Sequence, residues 1–331
     1  MGRVSRLRGP SARLLVPLHL LLVGLGVAGL VAHALEAGPD YLGDASAVLI
    51  STVYTWILAA RTGGRSAVFA AVALGMGGAA VLLDYDTLRS GAAALTASVG
   101  AVLGVMTTVP AVKFTSAVRE VAFALAIAAV GAGAAVGFQP VIDVARFEYT
   151  TLGLSFALVL ALVYRLGAGL HGLGTRGLVA VVGGSLGLGV ALAYAELLRR
   201  YGTPSLIESA LDSVTWTRDH LGAFPRPLQT LLGIPALVWG SHQRARRRQG
   251  WWVTAFGVAA TAPVAHLVVN PALTWSDIGL TEAYSIVVGL LLGYLVIRLD
   301  LVLTGSRGRR GRRAEEAGAI RPEPSRTRAL F

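Results

Sequence analysis

The stretch HQRARRRQGWW, residues 242–252, joins two apolar runs, and its reading decides the fold. Four arginines, Arg244, Arg246, Arg247 and Arg248, lead directly into Trp251 and Trp252. Two settings produce such a run. In one, arginines hold phosphates while indoles stack on the bases of a nucleic acid. In the other, the run is a membrane boundary, with arginines against anionic headgroups and indoles in an aromatic belt. The rest of the chain decides between them.

Of the 331 residues, 54% are hydrophobic and only 14% are charged. A soluble domain carries about 25% charged residues. So apolar a chain cannot cover itself with a solvated surface, and lipid must be its solvent. It contains no cysteine, which excludes disulfides, thiolate nucleophiles and Cys-based metal sites. The net charge of +11 points to a nucleic acid only if that charge gathers on one protein surface.

Apolar runs fall at 14–34, 46–60, 66–83, 92–109, 118–138, 149–166, 177–197, 228–243, 251–270 and 282–303. A helical span takes roughly 17–25 residues, and most of these runs are of that order. None alternates with period two, so helices are predicted over barrel strands. With the first run starting inside, 23 of the 29 basic residues fall on the inner side and 13 of the 18 acids on the outer side. The positive-inside rule then sets the orientation. The sequence predicts an all-α polytopic membrane protein, a bundle of about ten transmembrane helices with both ends of the chain cytoplasmic. Residues 242–252 become the inner loop between segments eight and nine. Arg244, Arg246, Arg247 and Arg248 are expected to face anionic inner-leaflet lipid, with Trp239, Trp251 and Trp252 at headgroup depth. A nucleic-acid partner is not required.

Residues 1–304 form the expected transmembrane domain and 305–331, rich in Arg, Gly and Pro, an expected disordered cytoplasmic tail. Segment eight is short and carries Pro225, Pro227 and Pro235 at its start and within it; it is read as a kinked span, because a re-entrant loop would invert all that follows. Segment one, ending in Ala-His-Ala at 32–34, is read as an uncleaved anchor because its apolar stretch exceeds that of a signal peptide. The outer loop 199–227 is expected to hold a short amphipathic helix. Ser205 and Glu208 fit a capping box there, and Gly222 fits a stop.

Two motifs imitate chemistry. GLGVAG at 24–29 spells the dinucleotide-binding pattern, and GGSLG at 183–187 spells the nucleophile elbow. Each lies within an apolar span, without the strand-to-helix turn its chemistry needs. The glycine pairs Gly100/Gly104, Gly133/Gly137, Gly183/Gly187 and Gly289/Gly293 instead suggest close helix contacts. No two histidines stand at a metal-ligand spacing, and neither a metal nor another cofactor is implied.

Polar groups inside the runs are few and share one depth, toward the outer leaflet. Glu196 in segment seven, His266 and Asn270 in segment nine, and Glu282 and Tyr284 in segment ten are the candidate solute- or proton-binding residues. Intramembrane ionisable groups usually face a bundle interior or a water-filled cavity. Hydration at helix ends, with pairing to Arg199 or Arg200, is the favoured reading for the glutamates. Pro235 and Pro263 are the candidate helix breaks, the kind of feature beside which transporters place their sites. Ten spans divide into five and five, an arrangement that repeats in inverted orientation. In size and topology the chain resembles the drug/metabolite transporter superfamily, although 14–138 and 149–303 share no internal sequence match. The resemblance implies a secondary transporter or permease for a small or lipophilic solute. A non-catalytic subunit or scaffold in envelope assembly is the second reading, with room for a homo-oligomer or membrane-complex partner. An intramembrane transferase is third, so an enzyme is the less favoured expectation.

Overall fold

The structure is a computed structural model and describes residues 11–166, 182–186, 189, 204–245, 250–304 and 323–330. Helix α1 spans Ser11–Ala34, α2 Leu42–Arg61, α3 Ser66–Leu83, α4 Asp86–Met106, α5 Phe114–Gly137 and α6 Val144–Arg165. Helix α7 covers Pro204–Leu221, and α8, Ile234–Arg244, follows a π-helical turn at Gln229–Gly233. Segment nine is broken into α9 Gly250–Ala255, α10 Val258–Thr261 and α11 Pro263–Val269, and α12 runs Trp275–Thr304. Among the described residues there is no strand. Eight stretches of the described residues are long and apolar enough to cross a membrane: α1 to α6, the broken segment 250–269, and α12.

The expected ten-span count therefore meets eight such stretches, and the two remaining segments differ in kind. Segment seven lies almost wholly outside the described residues. Segment eight is a five-residue π-helical turn continued by an eleven-residue helix. Those residues cover about 24 Å at 1.5 Å each. Its two ends are nevertheless tied to opposite ends of the bundle. The Arg226 amide donates to Ser285 Oγ at 2.9 Å, near the start of α12. Arg244 Nη2 donates to the Thr108 carbonyl at 2.8 Å, just beyond α4. Segment eight thus runs between the two ends of the bundle.

Apolar side chains segregate by position. Helices α1, α3 and α12 expose Leu20, Leu21, Leu25, Phe69, Leu82, Leu291, Leu295 and Val302, a surface suited to lipid contact. The core is built from α2, α4, α5, α6, α8 and segment nine, with Ile50, Leu103, Met106, Phe138, Phe147 and Leu237 buried within it. Glycine sets the closest approaches. A Cβ on Gly100 would lie 3.0 Å from the Gly131 Cα, and one on Gly104 would lie 2.5 Å from the Ala124 carbonyl oxygen. Gly289 and Gly293 on α12 seat Ile234 and Val238 of α8. Segments eight and nine form the tightest pair: Gly233 lies against Ala259 and Ala260, Gly240 against Thr254, and Gly250 against Arg244. The glycines of GLGVAG lie in the middle of α1, where Gly26 faces Ile50 and Gly29 faces Ser46.

Charge separates between the two ends. At one end Arg61, Glu120 and Arg244 are buried, and residues 323–330 pack over them. At the other, Arg89 joins Asp44 at 2.9 Å and Asp84 at 2.6 Å. The Glu148 cluster lies at this second end. Two sequence expectations change at the first end. Arg244 does not face lipid: it is 1% exposed, donates to Thr108 and lies 3.6 Å over the Trp251 ring. Trp251 and Trp252 are likewise buried instead of forming a belt, because Gly240 and Gly250 draw segments eight and nine together and the indoles turn inward. Arg246, Arg247 and Arg248 lie outside the described residues.

Candidate functional site

Five residues from separate stretches of chain meet at the second end. Glu148 comes from the first turns of α6, Arg226 from the connector after α7, and Gln229 from the π-helical turn. His266 comes from α11 and Glu282 from the early part of α12. One carboxylate oxygen of Glu148 pairs with Arg226. Its other oxygen lies 3.3 Å from His266 Nδ1. Gln229 Nε2 donates to Glu282 Oε2 at 2.8 Å and to the Ala260 carbonyl at 3.1 Å. Arg226 is close enough to act electrostatically on both His266 and Glu282.

Local backbone departures build this arrangement. Pro263 has no N–H to donate to the carbonyl four residues earlier, so segment nine cannot continue as a single helix. Turns at 256–257 and at Ala262 divide it, and the Ala260 carbonyl in the interrupted stretch receives Gln229. The π-helical turn places Gln229 fully inside the bundle, 0% exposed, and such turns recur at functional sites. Pro235 follows in the first turn of α8, where its missing N–H costs little.

The site leaves acceptors unused. Gln229 Oε1 and Glu282 Oε1 are buried and make no hydrogen bond. Each such group costs about 1–3 kcal/mol if it stays unmet. A solute carrying N–H or O–H donors would satisfy both. His266 Nδ1, 3.3 Å from the Glu148 carboxylate, is also buried without a hydrogen-bond partner.

The predicted residues divide. His266 and Glu282 come to the same cluster. Asn270 does not: its Oδ1 accepts from the Ala272 amide at 3.0 Å and closes the turn after α11. Tyr284 donates its hydroxyl to the Leu221 carbonyl at 2.7 Å, tying α12 to the end of α7. Glu196 lies outside the described residues. Pro263 stands at the break itself, whereas Pro235 lines an apolar cavity of about 350 Å³ with Trp239 and Phe256. A second apolar cavity of about 150 Å³ lies among α2, α3 and α4. Neither includes the polar cluster.

Glu148, Arg226 and Gln229 escape the sequence reading, although two left a signal. Arg226 is one of only six basic residues on the acid-rich side, and Arg89, another of the six, also holds ion pairs. Gln229 is an amide near the start of an apolar run, where an unpaired polar group is costly. Among the described residues no three His, Asp or Glu side chains gather as a metal site. Compared with protein-family models, curated proteins and solved structures, the chain finds no match in any of the three, so the reading of this site rests on its geometry.

Proposed function

We propose that the chain is a secondary transporter of the cell membrane that binds a small solute at the Glu148–Arg226–Gln229–His266–Glu282 cluster. One observation carries the reading: buried, unpartnered acceptors on Gln229 and Glu282 beside a proline-broken helix. Interrupted helices are where transporters place solute sites. Because the unused oxygens of Gln229 and Glu282 are acceptors, the favoured solute is one that presents hydrogen-bond donors, an amine or a polyol. In this reading ten spans cross the membrane, with 177–197 supplying the crossing that returns the chain from the end of α6 to the start of α7. The arginine-rich end and both ends of the chain are cytoplasmic, anionic inner-leaflet lipid surrounds the basic loop, and the cluster opens outward. The scaffold reading keeps one supporting observation, the apolar character of both cavities.

Proteoliposomes carrying an imposed pH gradient test the transport reading with radiolabelled small amines and polyols. Glu282→Gln and Gln229→Leu are expected to cut uptake about ten-fold or more, the equivalent of one hydrogen bond to a charged group at roughly 1.5–3 kcal/mol. His266→Gln is expected to insert normally and to remove the pH dependence of uptake, since the amide keeps hydrogen bonding without titrating. Uptake by all three variants at the unaltered rate contradicts the assignment of the site. No uptake of either solute class by the unaltered protein leaves the scaffold reading ahead.

A further inference from the structure

The first end of the bundle holds a different kind of site, and residues 323–330 occupy it. Glu323 binds Arg244 through both carboxylate oxygens, Oε2 at 2.6 Å from Nη2 and Oε1 at 3.3 Å from Nε. Arg326 returns the opposite charge to the bundle, 2.9 Å from Glu120 Oε2, and its guanidinium lies 4.1 Å over the Phe123 ring. Arg61 completes the seat. Its Nη1 donates to the Ser325 carbonyl at 2.8 Å, and its own carbonyl accepts from the Leu330 amide at 2.8 Å.

The receiving groups also have anchors within the bundle itself. Arg244 is fixed by the Thr108 hydroxyl at 2.7 Å, the Thr108 carbonyl at 2.8 Å and the Trp251 face. Arg61 Nε is fixed by the Met106 carbonyl at 3.1 Å. Arg61 is 3% exposed, and its Nη2 is buried without a hydrogen-bond partner. A guanidinium held this way presents a planar fork matched to a carboxylate. Among the described residues, the carboxylate within hydrogen-bond distance of Arg244 is that of Glu323, 79 positions away.

We infer that Arg244, with Arg61 beside it, forms a carboxylate-binding site at the arginine-rich end of the bundle, and that Glu323 fills it in cis. The ligand class is a small monocarboxylate able to replace the Glu323 side chain. Removing Glu323 leaves a preorganised buried cation without its counter-charge, and a free carboxylate restores it. This inference does not rest on the transport reading, since it concerns the opposite end of the molecule and needs no flux.

The test is chemical rescue on the full-length protein in detergent. Glu323→Ala and the near-isosteric Glu323→Gln should each lower the thermal unfolding midpoint by several degrees. Sodium propionate should return most of the loss in Glu323→Ala, saturably, while sodium chloride at equal ionic strength does not. In Arg244→Met/Glu323→Ala, propionate should give no gain over chloride. Equal effects of propionate and chloride overturn the inference, because simple screening then explains them. Stronger rescue by inorganic phosphate than by propionate overturns the carboxylate assignment in favour of a phosphate site. An unchanged midpoint in both Glu323 variants shows that the buried pair does not hold the segment and also overturns it.

Discussion

Gly233→Val is expected to prevent the protein from reaching its folded state, while Gly91→Ala and Gly153→Ala leave it intact. A Cβ on Gly233 would lie 2.1 Å from the Ala260 nitrogen and 2.4 Å from the Ala259 carbonyl carbon. Both are backbone atoms, so no side-chain rotation relieves the clash. Segments eight and nine would have to separate, taking the Gln229–Ala260 hydrogen bond with them. The cost should match or exceed the ~3 kcal/mol upper end of ordinary overpacking. Gly91 and Gly153 also lie in helices, but nothing stands within 4 Å of a Cβ added to either. There the helix propensity of alanine favours substitution by up to ~1 kcal/mol. Folded yield and the unfolding midpoint in detergent check both signs.

Glu120→Ala should produce the second large loss, with Glu120→Gln milder. Glu120 is 1% exposed, accepts from the Val109 amide at 2.9 Å and faces Arg326 and Arg119. Alanine strands the Val109 N–H and leaves Arg326 without its counter-charge against the Phe123 ring. Breaking a buried pair from one side costs about 3–5 kcal/mol. Glutamine keeps an acceptor for Val109 and loses only the charge. Equilibrium unfolding should therefore rank the unaltered protein above Glu120→Gln, and Glu120→Ala last. Equal stability of the two variants would show that the Val109 contact carries no weight.

Helical spans were legible in this sequence because lipid allows few backbone solutions, and uninterrupted apolar runs of span length satisfy the helical one. The interruption of segment nine was legible at Pro263, since a missing N–H is a local property. Gly222, with φ +80, ends α7 as its residue type predicts. Arg244 was not legible. Whether a basic residue beside tryptophans faces headgroups or turns inward depends on Thr108 and Glu323, both more than 70 positions away. Residues 323–330 read as unstructured because they lack apolar periodicity, yet two opposite ion pairs and Leu330 seat them on the bundle. Glu148 reads in the sequence only as one of the 13 acids on the outer side. Nothing local to it announces that Arg226 and His266 will arrive from two other parts of the chain.

We propose that this bundle crosses a membrane with the Arg244 end inside and the Glu148 cluster toward the outside. The cysteine-free chain allows a direct measurement. Val112 and Val141 flank α5, are 45% and 64% exposed, and lie at opposite ends of the bundle. Single cysteines at the two positions can be challenged in intact cells with a membrane-impermeant thiol reagent. Val141→Cys should be labelled at once and Val112→Cys only after permeabilisation, in keeping with the positive-inside rule. Labelling of Val112→Cys with protection of Val141→Cys would contradict it.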